Sequence, residues 1–131
     1  GGKWAPIAGY IDDLVGEEPE VAALREAKEE MDLEVRLDQL LGVWHYYENG
    51  DRPKMHVGYA YTGTILSGTY TPQAEEIQNW RFFSPEDIEH IYREGKLKTP
   101  EYNYQGFKLW ENGTKHPLTV VQSNRRIKFT E

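Results

Sequence analysis

Two long runs in which apolar and polar residues alternate, "LEVRLDQLLGVWHYY" (33–47) and "KMHVGYAYTGTIL" (54–66), flank the segment "ENGDRP". Alternation of this kind fits strands, and Asn-Gly between aromatic-rich runs is a strong hairpin signal. The chain is therefore expected to be built around a hairpin, with the first run forming one or two strands. "PEVAALREAKEEM" (19–31) precedes it and follows a helical period, with Pro19 where a first helical turn tolerates it. "SPEDIEHIYREGK" reads as a second, short helix, with Ser84 as cap, Pro85 in the first turn and an acidic residue three positions after the cap. "KWAPIAGYI" and "IQNWRFF" read as further strands, the region from Thr99 to Trp110 as a helix or turn, and "LTVVQSNRRIKF" as a terminal hairpin. These elements describe one α+β domain spanning residues 1–131.

The composition removes several function classes. There is no cysteine, which excludes disulfides, thiolate zinc sites and cysteine nucleophiles. No apolar run approaches the ~20 residues that span a bilayer, and no secretory signal pattern is present, so a cytoplasmic protein is expected. A formal net charge of −7 argues against non-specific nucleic-acid binding, which depends on Lys and Arg neutralising phosphates. The chain opens "GGKWAP" without an initiator methionine, and it is expected to be trimmed at the front.

The charge is unevenly placed. Residues 12–38 hold eleven of the 22 acidic residues but only Arg25, Lys28 and Arg36 as basic ones. Within the first helix, Glu30 lies about 40° to one side of Glu26 and Glu29 about 60° to the other, so the three share an arc of roughly 100°. Val21, Leu24, Ala27 and Met31 fall opposite and are expected to face the core. Arg25 stands four residues before Glu29 and can hold it, which leaves Glu26 and Glu30 unmatched and Lys28 pointing away. A cluster of glutamates alone fits a solvated acidic face at least as well as a site. Flanking apolar strands and the Gly9 and Gly16 turns weigh the other way, since they let backbone carbonyls and Glu17 approach the same spot. Clustered carboxylate and carbonyl oxygens suit Mg²⁺ or Mn²⁺, hard cations that also bind substrate phosphates.

Glu17, seven intervening residues and "REAKEE" (Arg25 to Glu30) resemble the Nudix box of the Nudix hydrolases, G-x5-E-x7-R-E-U-x-E-E-x-G-U, where U is a bulky aliphatic residue. Glu17, Arg25, Glu26, Glu29, Glu30 and Leu33 are in register. "GKWAPIAG" is similar to the strand entering the box, and "EEIQNWRFFSPEDI" to the later strand and helix start. Two positions depart from the pattern: Asp32 replaces the family glycine, and Gly9 is followed by seven residues before Glu17 rather than five. Asp tolerates the left-handed turn that often ends such a helix better than most residues do.

The resemblance implies an α+β Nudix-like fold, a mixed β-sheet sandwiched between helices, with the box in residues 9–33. The strands that usually precede "GKW" are either missing or replaced by the C-terminal segment. It further implies metal-dependent hydrolysis of a nucleoside diphosphate linked to another moiety. Glu26, Glu29 and Glu30 would ligate Mg²⁺ or Mn²⁺, with a backbone carbonyl from Ala8 or Gly9. Glu26 would also polarise the attacking water, Arg25 would orient the glutamates, and Glu17 would support them from the loop. Glu75 or Glu76 stands about where a further glutamate often acts as base or ligand.

"AG" entering the box resembles the ADP-ribose and NADH pyrophosphatase branches, some of which are homodimers, more than the triphosphatase branch. The alternatives are a pyrophosphohydrolase of oxidised nucleoside triphosphates and a non-catalytic nucleotide sensor. The expected partner is a small nucleotide substrate, with no nucleic acid and no membrane. Trp4, Tyr10, Trp44, Tyr46 and Tyr47 are candidates for stacking on a base, although packing explains each equally well. His45 and His56 are candidate acid–base groups, and Arg52, Lys54 and the basic tail candidate phosphate contacts; a structural or solvated role is the simpler reading of each.

Overall fold

The computed structural model describes residues 17–47 and 54–122, without the side chain of Tyr46. In chain order these form helix α1 (Pro19–Met31), strand β1 (Leu33–Tyr47), strand β2 (Met55–Gly68), helix α2 (Pro85–Arg93), helix α3 (Pro100–Glu111) and a 3-10 turn at Leu118–Val120. The expected strands in "KWAPIAGYI" and "IQNWRFF" and the Asn49-Gly50 turn lie outside the described residues, apart from Phe83, which is not in a strand.

β1 is a single strand of 15 residues and pairs with β2 in antiparallel fashion, from Leu33 opposite Gly68 to Tyr47 opposite Met55. The register slips between Glu34 and Val35, between Leu37 and Gln39, and between Leu40 and Gly42. Each slip adds local twist, which lets a long two-stranded ribbon coil against the helices. Leu40 also exchanges backbone hydrogen bonds of 2.9 Å with His116, so the segment after α3 lies along β1. Leu118–Val120 form a 3-10 turn rather than the start of the expected hairpin, and Pro117 just before them suits a turn better than a paired strand.

The core gathers Ala22, Ala27 and Met31 of α1, Leu33, Leu40 and Leu41 of β1, Ile91 of α2, Leu97 and Phe107 of α3. Two glycines allow close approaches. At Gly42 an added Cβ would lie 2.6 Å from the Trp44 ring, and at Gly106 it would lie 3.6 Å from the same ring. Trp44 is thus laid against glycines of β1 and α3, with its indole N–H donating to Gln105 at 3.4 Å. Gly68 closes β2 at φ 135°, where an added Cβ would meet the Asp32 carbonyl at 2.6 Å.

α2 begins with a reciprocal capping box: Ser84 Oγ accepts from the Asp87 N–H, and Asp87 accepts from the Ser84 N–H. It packs on α3 through stacked rings of Tyr92 and Tyr104, with centroids 3.6 Å apart. Beside them Glu89 accepts hydrogen bonds from Lys108 and the Tyr104 hydroxyl. Lys108 chiefly, and Tyr104 secondarily, hold the Glu89 carboxyl below its ordinary range against the opposing effect of desolvation.

Gly42→Ala must displace the Trp44 ring and is expected to destabilise the chain by about 1–3 kcal/mol, measured by urea unfolding. The depressed Glu89 pKa stabilises the fold above the ordinary carboxylate value of about 4.3, and that contribution is lost as pH falls through the folded value. Glu89→Gln is therefore expected to narrow the difference in melting temperature between pH 7 and pH 3.

Candidate active site

α1 forms because alanine, leucine and glutamate dominate its interior and Pro19 fits its first turn. It ends at Asp32, in the left-handed region at φ 53°, ψ 39°, where the Asp32 N–H bonds back to Ala27 and Lys28. The aspartate thus takes the conformation the glycine would have taken, and Lys28 pairs with its carboxylate at 2.7 Å.

The helix is turned differently from its expected orientation. Ala22 joins Ala27 and Met31 in the core, whereas Val21 is 51% and Leu24 39% exposed. The inward direction is rotated by roughly a quarter turn toward the glutamates. Small alanines on that side let the helix sit close to its neighbours and bring Glu26 partly inside. The Glu26 side chain is 13% exposed and that of Glu17, just before the helix, 8%. Glu29 and Glu30 are exposed.

Arg25 ties this group together. Its Nε donates to Glu17 Oε2 at 2.8 Å and its Nη2 to Glu17 Oε1 at 2.9 Å, a two-pronged contact across eight residues. Nη1 donates to Glu29 Oε2 at 3.0 Å and lies 3.1 Å from Glu26 Oε1. The hydrogen bond with Glu17 is the largest influence holding the guanidinium proton above its already high value, with Glu29 and Glu26 adding smaller attractions. The contact with Glu26 corrects the expectation that this residue lacks a positive neighbour: a guanidinium offers five N–H donors, and one nitrogen reaches two carboxylates.

Among the described residues, no three acidic or histidine side chains are gathered around one point that could hold a metal ion. Glu26 and Glu29 converge on Nη1 of Arg25 instead. Their chemistry still suits a hard cation, and Mg²⁺ keeps several waters and uses one or two carboxylates with substrate phosphates rather than an all-protein cage. The donor set therefore fits Mg²⁺ or Mn²⁺.

Other expected site residues are dispersed. Ala8, Gly9, Glu75, Glu76, Trp4, Tyr10, Arg52 and the tail from residue 123 lie outside the described residues, as does the Tyr46 side chain. Trp44 is engaged with Gly42, Gly106 and Gln105, which favours its packing role. His45 and Tyr47 stand exposed on β1, His56 is half-buried on β2, and Lys54 is exposed just before β2.

The fold and the arginine-linked acidic helix together define an α+β protein of the Nudix type. The model of the NUDIX domain matches residues 1–103, and the chain belongs to that family. A NUDIX hydrolase from Nitrosomonas europaea has a similar structure, with a TM-score of 0.66 at 22% identity, over 82% of this chain and 71% of that one. No curated protein sequence matches the chain. Nudix hydrolases act on phosphoanhydrides, and membership supports pyrophosphohydrolase activity in general.

Arg25→Lys keeps the charge but loses the planar fork that grips Glu17. It is expected to lower the melting temperature, as is Glu17→Gln. The double variant should fall by clearly less than the sum of the two, because both remove one contact. Thermal unfolding in EDTA measures all three.

Proposed function

We propose that the chain hydrolyses the phosphoanhydride of a nucleoside diphosphate linked to a second moiety, of the ADP-ribose, NADH or nucleotide-sugar type, with Mg²⁺ or Mn²⁺ as cofactor. The observation that carries this reading is the Arg25 contact set. One guanidinium fixes Glu17 with two hydrogen bonds and reaches both Glu26 and Glu29, the residues that stand in register with the family's box.

In this reading Glu26, Glu29 and Glu30 hold the divalent cation, with a backbone carbonyl of Ala8 or Gly9 as a further oxygen. When bound, the cation neutralises phosphoryl charge and lowers the pKa of a coordinated water. Arg25 sets the positions of Glu26 and Glu29, and Glu17 sets the position of Arg25. Glu26, the most enclosed of the three helix carboxylates, polarises the attacking water. Glu75 or Glu76 supplies a further base or ligand. Water adds to one phosphorus, the bridging P–O bond breaks, and two monophosphates leave.

The test is phosphate release, coupled to a phosphatase, from a panel of ADP-ribose, NADH, nucleotide sugars and nucleoside triphosphates, each with Mg²⁺, Mn²⁺ or EDTA. Two monophosphate products from a dinucleotide or sugar-linked substrate are expected. Inorganic pyrophosphate from a triphosphate would replace this substrate class with the oxidised-nucleotide one. Glu26→Gln and Glu30→Gln should abolish turnover with the circular dichroism spectrum unchanged. Near-wild-type activity of either variant with Mg²⁺ would overturn the assigned roles. Arg25→Lys, which acts through the glutamates, should retain activity reduced by about 10–100-fold.

A further inference from the structure

The end of the ribbon farthest from α1 has two unlike faces. On one face, Gly42, Trp44, His56, Gly58 and Ala60 are half-buried, with Trp44 against α3. On the other, Val43 pairs with Tyr59, His45 with Val57 and Tyr47 with Met55. Strict alternation of the pleat sends these six side chains the same way. All six are exposed, and the five apolar ones retain between 37% and 63% of their surface. A two-stranded ribbon with one covered face ordinarily shows polar residues on the other. This one shows two tyrosines, two valines and a methionine, and tyrosine and methionine are enriched in protein interfaces.

We propose that this outer face, Val43, His45, Tyr47, Met55, Val57 and Tyr59, is the interface of a homodimer. Two observations favour a second copy over another occupant. The first is charge: the chain carries a formal net charge of −7, and none of the six residues is a carboxylate. Two copies can approach at this face without facing acidic groups, whereas the face offers no Lys or Arg to a nucleic acid or an anionic membrane. The second is area and symmetry. The exposed apolar surface is on the order of 500 Å². Doubling it by self-association reaches on the order of 1,000 Å², the lower limit of a specific interface. In a twofold arrangement the same patch serves both copies, with the central His45–Val57 row of each nearest the axis. The proposal stands apart from the hydrolytic reading, since none of these six residues belongs to the acidic helix.

Sedimentation equilibrium of the full chain, from low to high micromolar concentration, tests it. A dimer is expected, and Val57→Glu should give a monomer with an unchanged circular dichroism spectrum. Val21→Glu, on the exposed stripe of α1, should leave the dimer intact. A wild-type monomer at every concentration overturns the proposal, and so does a dimer that survives both Val57→Glu and Met55→Lys. If Val57→Glu does not fold, Val57→Cys reads the same contact in an otherwise cysteine-free chain. Stacked sheets lie ~10 Å apart, too far for a disulfide, so a short bismaleimide reagent is used. A cross-linked dimer is expected, and its absence overturns the interface.

Discussion

The fork between Arg25 and Glu17 is the contact on which the rest of the acidic helix depends. Three glutamates within five residues repel one another, and helix propensity alone does little against that repulsion. A guanidinium answers it at two levels. Its Nε–Nη2 edge is spent on Glu17, which fastens the chain entering the helix to the helix's second turn. Its remaining terminal nitrogen faces Glu26 and Glu29. Loop, helix and carboxylates are thereby set in one arrangement by a single side chain.

Helix orientation follows from the residues that surround this contact. Had α1 buried Val21 and Leu24, Glu26 would have pointed toward solvent, and Arg25 would have had a different reach to Glu17. Burying Ala22 instead gives up some apolar area and gains a close approach. The Glu17 and Glu26 carboxylates then stand largely enclosed beside their cation. The ribbon uses small residues similarly, with Gly42 and Gly106 making room for the Trp44 ring between β1 and α3.

Much of this was legible in the sequence, and the limits have physical causes. The bounds of α1, the two paired strands, the cap of α2 and the left-handed turn at Asp32 all follow from local chemistry: proline in a first turn, alternation, a Ser/Asp box and a tolerant aspartate. The Arg25–Glu29 contact follows from helical spacing. The rotation of α1 does not, because hydrophobicity ranks valine and leucine above alanine, whereas packing here rewards small size. The Glu26 contact was missed for a related reason. Adjacent helix residues diverge by 100°, and only a long side chain bent toward Glu17 brings Nη1 back over its neighbour. The turn at Leu118 was obscured by a β-branched sequence that also suits a strand.

Lysine could balance the same charge but could not divide it in this way. An ammonium is a compact point charge, strongly hydrated and without a fixed plane. At position 25 it could approach Glu17 or the helix carboxylates without holding either in a set direction. The guanidinium separates the two tasks along its own plane: two donors anchor Glu17, and one nitrogen is shared between Glu26 and Glu29. A carboxylate offers about four lone-pair sites, so a single shared N–H donor leaves most of the capacity of each glutamate available. Under the proposed reading that spare capacity is what a divalent cation would use. The arrangement thus reconciles two opposed demands on α1, enough local positive charge to fold and enough remaining oxygen donors to bind a metal.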